Sequence, residues 1–145
     1  MKEKIIGLIF FSLILLCSGC RKDVQDNKKD SDEFVSNINV VINNNIYVVT
    51  LENNATAKAF TGMLPKELNM SELNGNEKYI YLDTTLPTNS SNPKRINAGD
   101  VMLYGNNCLV IFYKSFDTSY SYTRIGHIDD LPNLGNGNIT VKFEK

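Results

Sequence analysis

A thiol and an imidazole are the first groups in this chain that could do chemistry together. Cys108 and His127 form the one thiol–imidazole pair in the body of the sequence. A nucleophilic cysteine needs a depressed pKa and a base within hydrogen-bond reach. Cys108, however, opens an apolar strand, where a free cysteine ordinarily serves as a small core hydrophobe, and a structural role is expected. Ser119, Ser121, His127 and Asp129 carry the residue types of a hydrolase, but no Gly-x-Ser-x-Gly elbow or comparable motif orients them. No catalytic residue is assigned. His127 beside Asp129 and Asp130 is one imidazole with two carboxylates, short of a converging ligand set, so neither a metal nor a cofactor is expected.

Tyrosine is the residue in excess. By strand alternation Tyr79 and Tyr81 share one face, and so do Tyr120, Tyr122 and Arg124. Tyr104, Tyr113 and the Asn106-Asn107 turn belong to a neighbouring hairpin. Aromatic bodies with polar tips beside one guanidinium suit a peptide, sugar or carboxylate ligand. The competing reading is that the tyrosines pack the outer wall of the domain and cover Arg124. The candidate ligand residues are therefore Tyr79, Tyr81, Tyr104, Asn106, Tyr113, Tyr120, Tyr122 and Arg124.

Charge sets the range of partners. The chain carries a formal charge of −1. Without residues 1–19 it has 13 basic against 15 acidic groups, since Lys2, Lys4 and Glu3 fall in that stretch. Nucleic-acid binding depends on neutralising phosphates with Lys and Arg, so nucleic acid is not an expected partner.

The N-terminus reads as an address. Lys2 and Lys4 precede a continuous apolar region, Ile5 to Leu16, whose twelve residues fall short of the roughly 20 needed to span a bilayer as a helix. A signal peptide follows from that pattern. Its end, Leu15-Leu16-Cys17-Ser18-Gly19-Cys20, resembles the lipobox of bacterial lipoproteins, with Cys17 where leucine is commoner. The resemblance implies lipidation of Cys20 and cleavage before it. The protein is then exported and anchored by acyl chains such as palmitate, on the outer face of the cytoplasmic membrane or in the outer membrane. Residues 20–37 are rich in Lys, Asp, Asn, Gln and Ser, too polar to offset the entropy of ordering them. They are expected to form a flexible tether with an end-to-end distance of about 20–25 Å. Only Cys108 lies in the body, so the domain at 38–145 is expected to be stable through its core rather than a disulfide.

That body has period two. Ile38–Ile42 and Ile46–Leu51 flank Asn43-Asn44-Asn45, a hairpin loop of residues that tolerate positive φ. Asn54 caps a helix over about 55–63, with Ala55, Ala59, Phe60 and Met63 as its apolar stripe and Pro65 beyond its end. Strands follow at Lys66–Leu73 and Glu77–Leu82. A long polar loop, Thr84–Gly99, precedes a strong hairpin at Asp100–Tyr104 and Cys108–Lys114. Loops that long are usually functional or mobile, and this one is placed to cover a ligand site. Tyr120–Ile125 and Ile139–Phe143 complete the strands, with a short helical turn at Asp129–Leu134 between them. About eight strands, one principal helix and no βα alternation predict a mainly β fold closed into a barrel, which removes exposed edges.

Several blocks resemble the small bacterial cyclophilin-like domain. They are Ala55-Thr56-Ala57-Lys58-Ala59-Phe60, Glu72 through Tyr79, Gly99-Asp100-Val101-Met102-Leu103-Tyr104-Gly105 continuing to Lys114, and Tyr120 through Gly126. The resemblance covers Ile38 to Glu144 and implies an eight-stranded cyclophilin-like barrel. Enzymatic cyclophilins isomerise prolyl bonds with an arginine, aromatic residues, a glutamine, and a histidine or tryptophan. This chain has no Trp, and its single Gln, Gln25, lies in the tether. Its domain arginines, Arg95 and Arg124, lack the Phe-His-Arg context. The resemblance thus implies a fold without a settled activity. The expected function is a membrane-tethered, non-catalytic module for a small molecule or short peptide. A residual prolyl isomerase and a structural partner in envelope assembly are the alternatives.

Overall fold

The computed structural model describes residues 33–145. The expected signal peptide, Cys20 and most of the expected tether lie outside the described residues. Eight strands form one closed antiparallel barrel. They are β1 (Asn37–Ile42), β2 (Asn45–Leu51), β3 (Lys66–Leu73), β4 (Glu77–Tyr81), β6 (Asp100–Tyr104), β7 (Cys108–Phe112), β9 (Thr123–Ile128) and β10 (Ile139–Glu144). Around the barrel they run β1-β10-β3-β4-β7-β6-β9-β2. Two further short strands, β5 (Arg95–Ile96) and β8 (Phe116–Asp117), pair with each other outside it.

Local chemistry sets the turns. Asn43 and Asn44 take φ of 49° and 63°, the left-handed pair that a two-residue hairpin requires. Asn54 caps the helix α1 (Ala55–Thr61) by accepting the Ala57 amide at 2.8 Å. The helix stops at Gly62, short of the expected end, because the following residues lead directly into β3. Its buried face is Thr56, Ala57, Phe60 and Thr61. Ala55, expected in the apolar stripe, is exposed, while Ala59 and Met63 are partly buried against the core.

The interior is filled. Val40, Ile42, Val49, Met70, Val101, Leu103, Leu109, Ile111, Val141 and Phe143 all belong to one buried cluster. Phe60 closes one end, its ring meeting Phe143 edge-on at 5.1 Å between centroids. An eight-stranded barrel has an interior just wide enough for such side chains. The expected alternation holds: Val101 and Leu103 face inward, whereas Met102 belongs to a second cluster on the outer wall and Tyr104 is exposed.

Two expectations are corrected. Asp129–Leu134 forms no helical turn; Asp130 adopts φ of 54° and the chain then runs without regular structure. Pro132 explains this, since it disfavours helical geometry at the residue before it. Tyr120 and Tyr122 precede β9 rather than lying within it, and β9 extends to Ile128. The loop Thr84–Gly99 is bound along its length to the barrel rim and to the 116–123 segment. Leu86 donates to the Asn106 carbonyl at 2.8 Å, Asn89 to Thr123 Oγ1 at 3.0 Å, and Ser91 exchanges backbone bonds of 3.0 Å with Tyr122.

Candidate functional site

Strand β7 is buried at every position. Leu109 and Ile111 point into the barrel, and Cys108, Val110 and Phe112 point outward into the second cluster. A strand apolar on both faces needs a cover on its outer side. Ile96, Phe116 and Tyr122 supply it. The loop Thr84–Gly99 thereby braces the Phe116–Tyr122 segment, through the β5–β8 pair, the Ser91–Tyr122 bridge and the Asn92 amide on the Ser119 carbonyl.

The cover is incomplete. Between the β4–β7–β6 wall and the 116–122 segment lies a cleft of about 340 Å³, within the size range of small-molecule sites. Its lining includes six rings: Tyr79, Tyr81, Tyr104, Phe116, Tyr120 and Tyr122. Cys108 and Val110 complete its apolar wall, and Leu73, Asn74, Asn76 and Glu77 close the end near the β3–β4 turn. The rings support one another edge-on. Tyr79 and Tyr81 meet at 6.0 Å and 81°, Tyr104 and Tyr120 at 6.2 Å and 87°, and Tyr122 rests against Phe112 at 5.4 Å and 89°. Such packing holds the aromatic bodies in place, with Tyr81, Tyr104 and Tyr120 exposed and Tyr122 buried.

Five of the eight expected ligand residues therefore meet in one place: Tyr79, Tyr81, Tyr104, Tyr120 and Tyr122. The other three do not line the cleft. Asn106 sits in the β6–β7 turn and offers its carbonyl to Leu86. Tyr113 is buried at the barrel end, donating its hydroxyl to Glu72 Oε1 at 2.7 Å. Burial, that hydrogen bond and the Glu72 charge push the Tyr113 phenol up to about 12. Arg124 projects from β9 with Nη1 3.9 Å from Asp100 Oδ1.

The thiol and imidazole are kept apart. Asp100 pairs with His127, and Tyr104 with Cys108, so they sit four positions apart along β6, about 13 Å along a strand. Burial first and the Glu77 charge second push the Cys108 thiol up, the reverse of an activated nucleophile. His127 Nδ1 lies 3.0 Å from Asp100 Oδ1, and Asp100 in turn accepts the Asn97 amide at 2.8 Å. Among the described residues no serine hydroxyl or thiol is hydrogen-bonded to that imidazole.

A family model for the Cyclophilin-like family matches residues 40–144, which spans every strand of the barrel but the first three residues of β1. The chain belongs to the cyclophilin-like family. No curated protein and no solved structure matches it. Membership accounts for the barrel of this cyclophilin-like domain and leaves its chemistry to the cleft.

Glu77 is the cleft residue that sequence reading missed. Alternation on β4 puts it on the face of Tyr79 and Tyr81, which was the available signal. Burial pushes its carboxyl up to about 7, with the Glu72 charge adding to the shift. An unfolded chain releases this proton near the ordinary value of 4.5, while the folded domain keeps it to about 7. The folded state thus binds more protons within that window, and stability falls as pH rises through it. With solvent screening of a half-buried group taken into account, the loss is about 1–2 kcal/mol. Urea denaturation across pH 4.5–8 is expected to show this slope in the wild type and to lose it in Glu77→Gln. Equal slopes in the two proteins would contradict the assignment.

Proposed function

We propose that this cyclophilin-like domain is a membrane-tethered, non-catalytic binding module whose ligand, a small molecule or short peptide, seats in the tyrosine-lined cleft. The observation that carries the reading is the contrast between a barrel interior packed with side chains and an open aromatic cleft on the outer wall. Polar tips over an apolar floor orient a ligand and bury its body. The arginine an isomerase would need does not support catalysis here, because Arg124 lies outside the cleft lining and beside Asp100.

A thermal-shift screen of small metabolites and short peptides tests the reading, since a ligand of the native state raises apparent stability by mass action. Compounds that stabilise the wild type are expected to lose most of that effect in Tyr120→Ala, whose side chain is exposed at the cleft edge. Stabilisation unaffected by that change and by Tyr79→Ala would exclude the cleft. In a prolyl-peptide assay the domain is expected to match the uncatalysed rate; an acceleration lost in Arg124→Ala would restore the enzyme reading.

The tether rests on the Leu15–Cys20 pattern. Cys20→Ala is expected to abolish incorporation of labelled palmitate and to leave an uncleaved precursor. Lipid labelling that persists in the variant would remove the anchor from the proposal.

A further inference from the structure

Glu77 is the single charged residue in a lining otherwise made of aromatic, apolar and amide side chains. Among the described residues no Lys, Arg or His lies within ion-pair distance of it. The neighbouring cation, Lys78, alternates to the opposite face of β4 and is committed to Glu72. A partly buried carboxyl without a partner is a costly feature that a bound cation would relieve. The electron-rich faces of surrounding tyrosines attract cations as well. Asn76, the next residue of the lining, has a buried Oδ1 with no donor, and such an acceptor calls for an N–H group.

We propose that the cleft takes the cationic head of its ligand, an alkylammonium or guanidinium group bearing N–H donors, with Glu77 as counter-charge and the tyrosine rings as its cage. The proposal rests on the cleft being the ligand site and adds the chemical class that the site selects. Without a bound cation, Glu77 keeps its proton up to about pH 7. Entry of the cation favours the carboxylate, and the proton passes to solvent. The surrounding groups supply no positive charge to Glu77: Glu72, on the Lys78 face of the sheet, favours the protonated form, while Cys108 on β7 and Tyr122 before β9 couple to the Glu77 charge and stay neutral. Its pairing partner on β7, Phe112, is apolar.

The chain has no tryptophan, and five of its seven tyrosines line the cleft, so tyrosine emission reports mainly on that site. The full-length chain, purified in detergent, is titrated with Nα-acetyl-arginine methylamide, Nα-acetyl-lysine methylamide and agmatine. The near-isosteric neutral norleucine derivative and the anionic glutamate derivative are the controls. At pH 8 the cationic probes are expected to bind at least tenfold more tightly than norleucine, with no detectable binding of glutamate. Their affinity is expected to rise about tenfold from pH 6 to pH 8 as Glu77 ionises around pH 7. Glu77→Gln should remove both the preference and the pH dependence while still melting cooperatively, at a temperature no lower than the wild type at pH 8. Tighter binding of agmatine points to a free amine, and tighter binding of the capped residues to a basic peptide side chain; both uphold the cation. If norleucine binds as well as arginine and Tyr120→Ala weakens both, the cation assignment fails while the cleft stands as a ligand site. If no cationic probe binds, or Glu77→Gln keeps the preference, the proposal is overturned.

Discussion

Lys78→Met is expected to destabilise the domain by about 3–5 kcal/mol, the cost of breaking a buried ion pair from one side. Lys78 is fully buried on the inward face of β4. Its ammonium donates to Glu72 Oε2 and to the carbonyls of Gly135 and Gly137, both at 2.6 Å. It also lies 5.0 Å from the centre of the Tyr113 ring. One side chain therefore joins β3, β4, the end of β7 and the loop before β10. Methionine fills much of the volume but leaves Glu72 Oε2 and two carbonyls without the ammonium donor, and unmade buried hydrogen bonds are expensive. Burial alone would raise the Glu72 carboxyl; the hydrogen bonds from Lys78 and Tyr113, together with the Lys78 charge, outweigh it and hold the group below the usual carboxylate range. The stabilisation linked to Glu72 is thus present above pH 4.5 and lost as pH falls through its lowered folded value. Guanidinium denaturation gives the measurement. Lys78→Met/Glu72→Gln is expected to recover part of the loss, and a single-variant change below about 1 kcal/mol would show that the ammonium does not hold these elements together.

Gly99→Ala is expected to cost a similar amount for a purely steric reason. Gly99 sits at φ of +99°, and a Cβ built on it would lie 2.2 Å from the Ile128 carbonyl and 2.9 Å from His127 Cε1. The first neighbour is backbone and cannot swing away. Gly99 also donates to the Phe112 carbonyl at 2.7 Å and accepts from Ile128 at 2.8 Å, so moving it strains the ends of β7 and β9. Backbone strain and overpacking each amount to about 1–3 kcal/mol, giving a combined loss of about 3–5 kcal/mol. Gly105 provides the control: its φ is +61°, but a Cβ there meets nothing within 4 Å. Gly105→Ala should cost only the left-handed penalty of about 1–2 kcal/mol. Equal melting temperatures for the two variants would rule out the steric account.

Much of the fold was legible because the barrel obeys local rules. Paired asparagines made a hairpin, Asn54 made a cap, and alternation assigned Val101 and Leu103 to the interior. The helical turn expected at Asp129–Leu134 does not form, because Pro132 disfavours helical geometry at the residue before it. The site was half legible. Alternation gathered Tyr79 and Tyr81, yet Tyr113 has the parity of Leu109 and Ile111 and so belongs with the inward face. Tyr120 and Tyr122 reach the cleft from an irregular segment whose course is set by long-range bonds to Ser91 and Asn92, and no strand rule predicts that. Arg124 shares the outer wall but stands on β9, the strand beyond β6 from the β4–β7 wall. The unbroken apolar run of β7 was the overlooked signal, since it required a covering layer outside the barrel.

Ring-selective NMR distinguishes a ligand seated among the cleft tyrosines from one bound elsewhere. The chain has seven tyrosines; five line the cleft, while Tyr47 packs against the barrel interior and Tyr113 is bonded to Glu72. With ring-labelled tyrosine, a compound that stabilises the protein should shift the resonances of Tyr79, Tyr81, Tyr104, Tyr120 and Tyr122 in a saturable way and leave Tyr47 and Tyr113 in place. Shifts confined to Tyr47 and Tyr113, or saturable stabilisation that leaves all five cleft rings unmoved, would place the ligand outside the cleft.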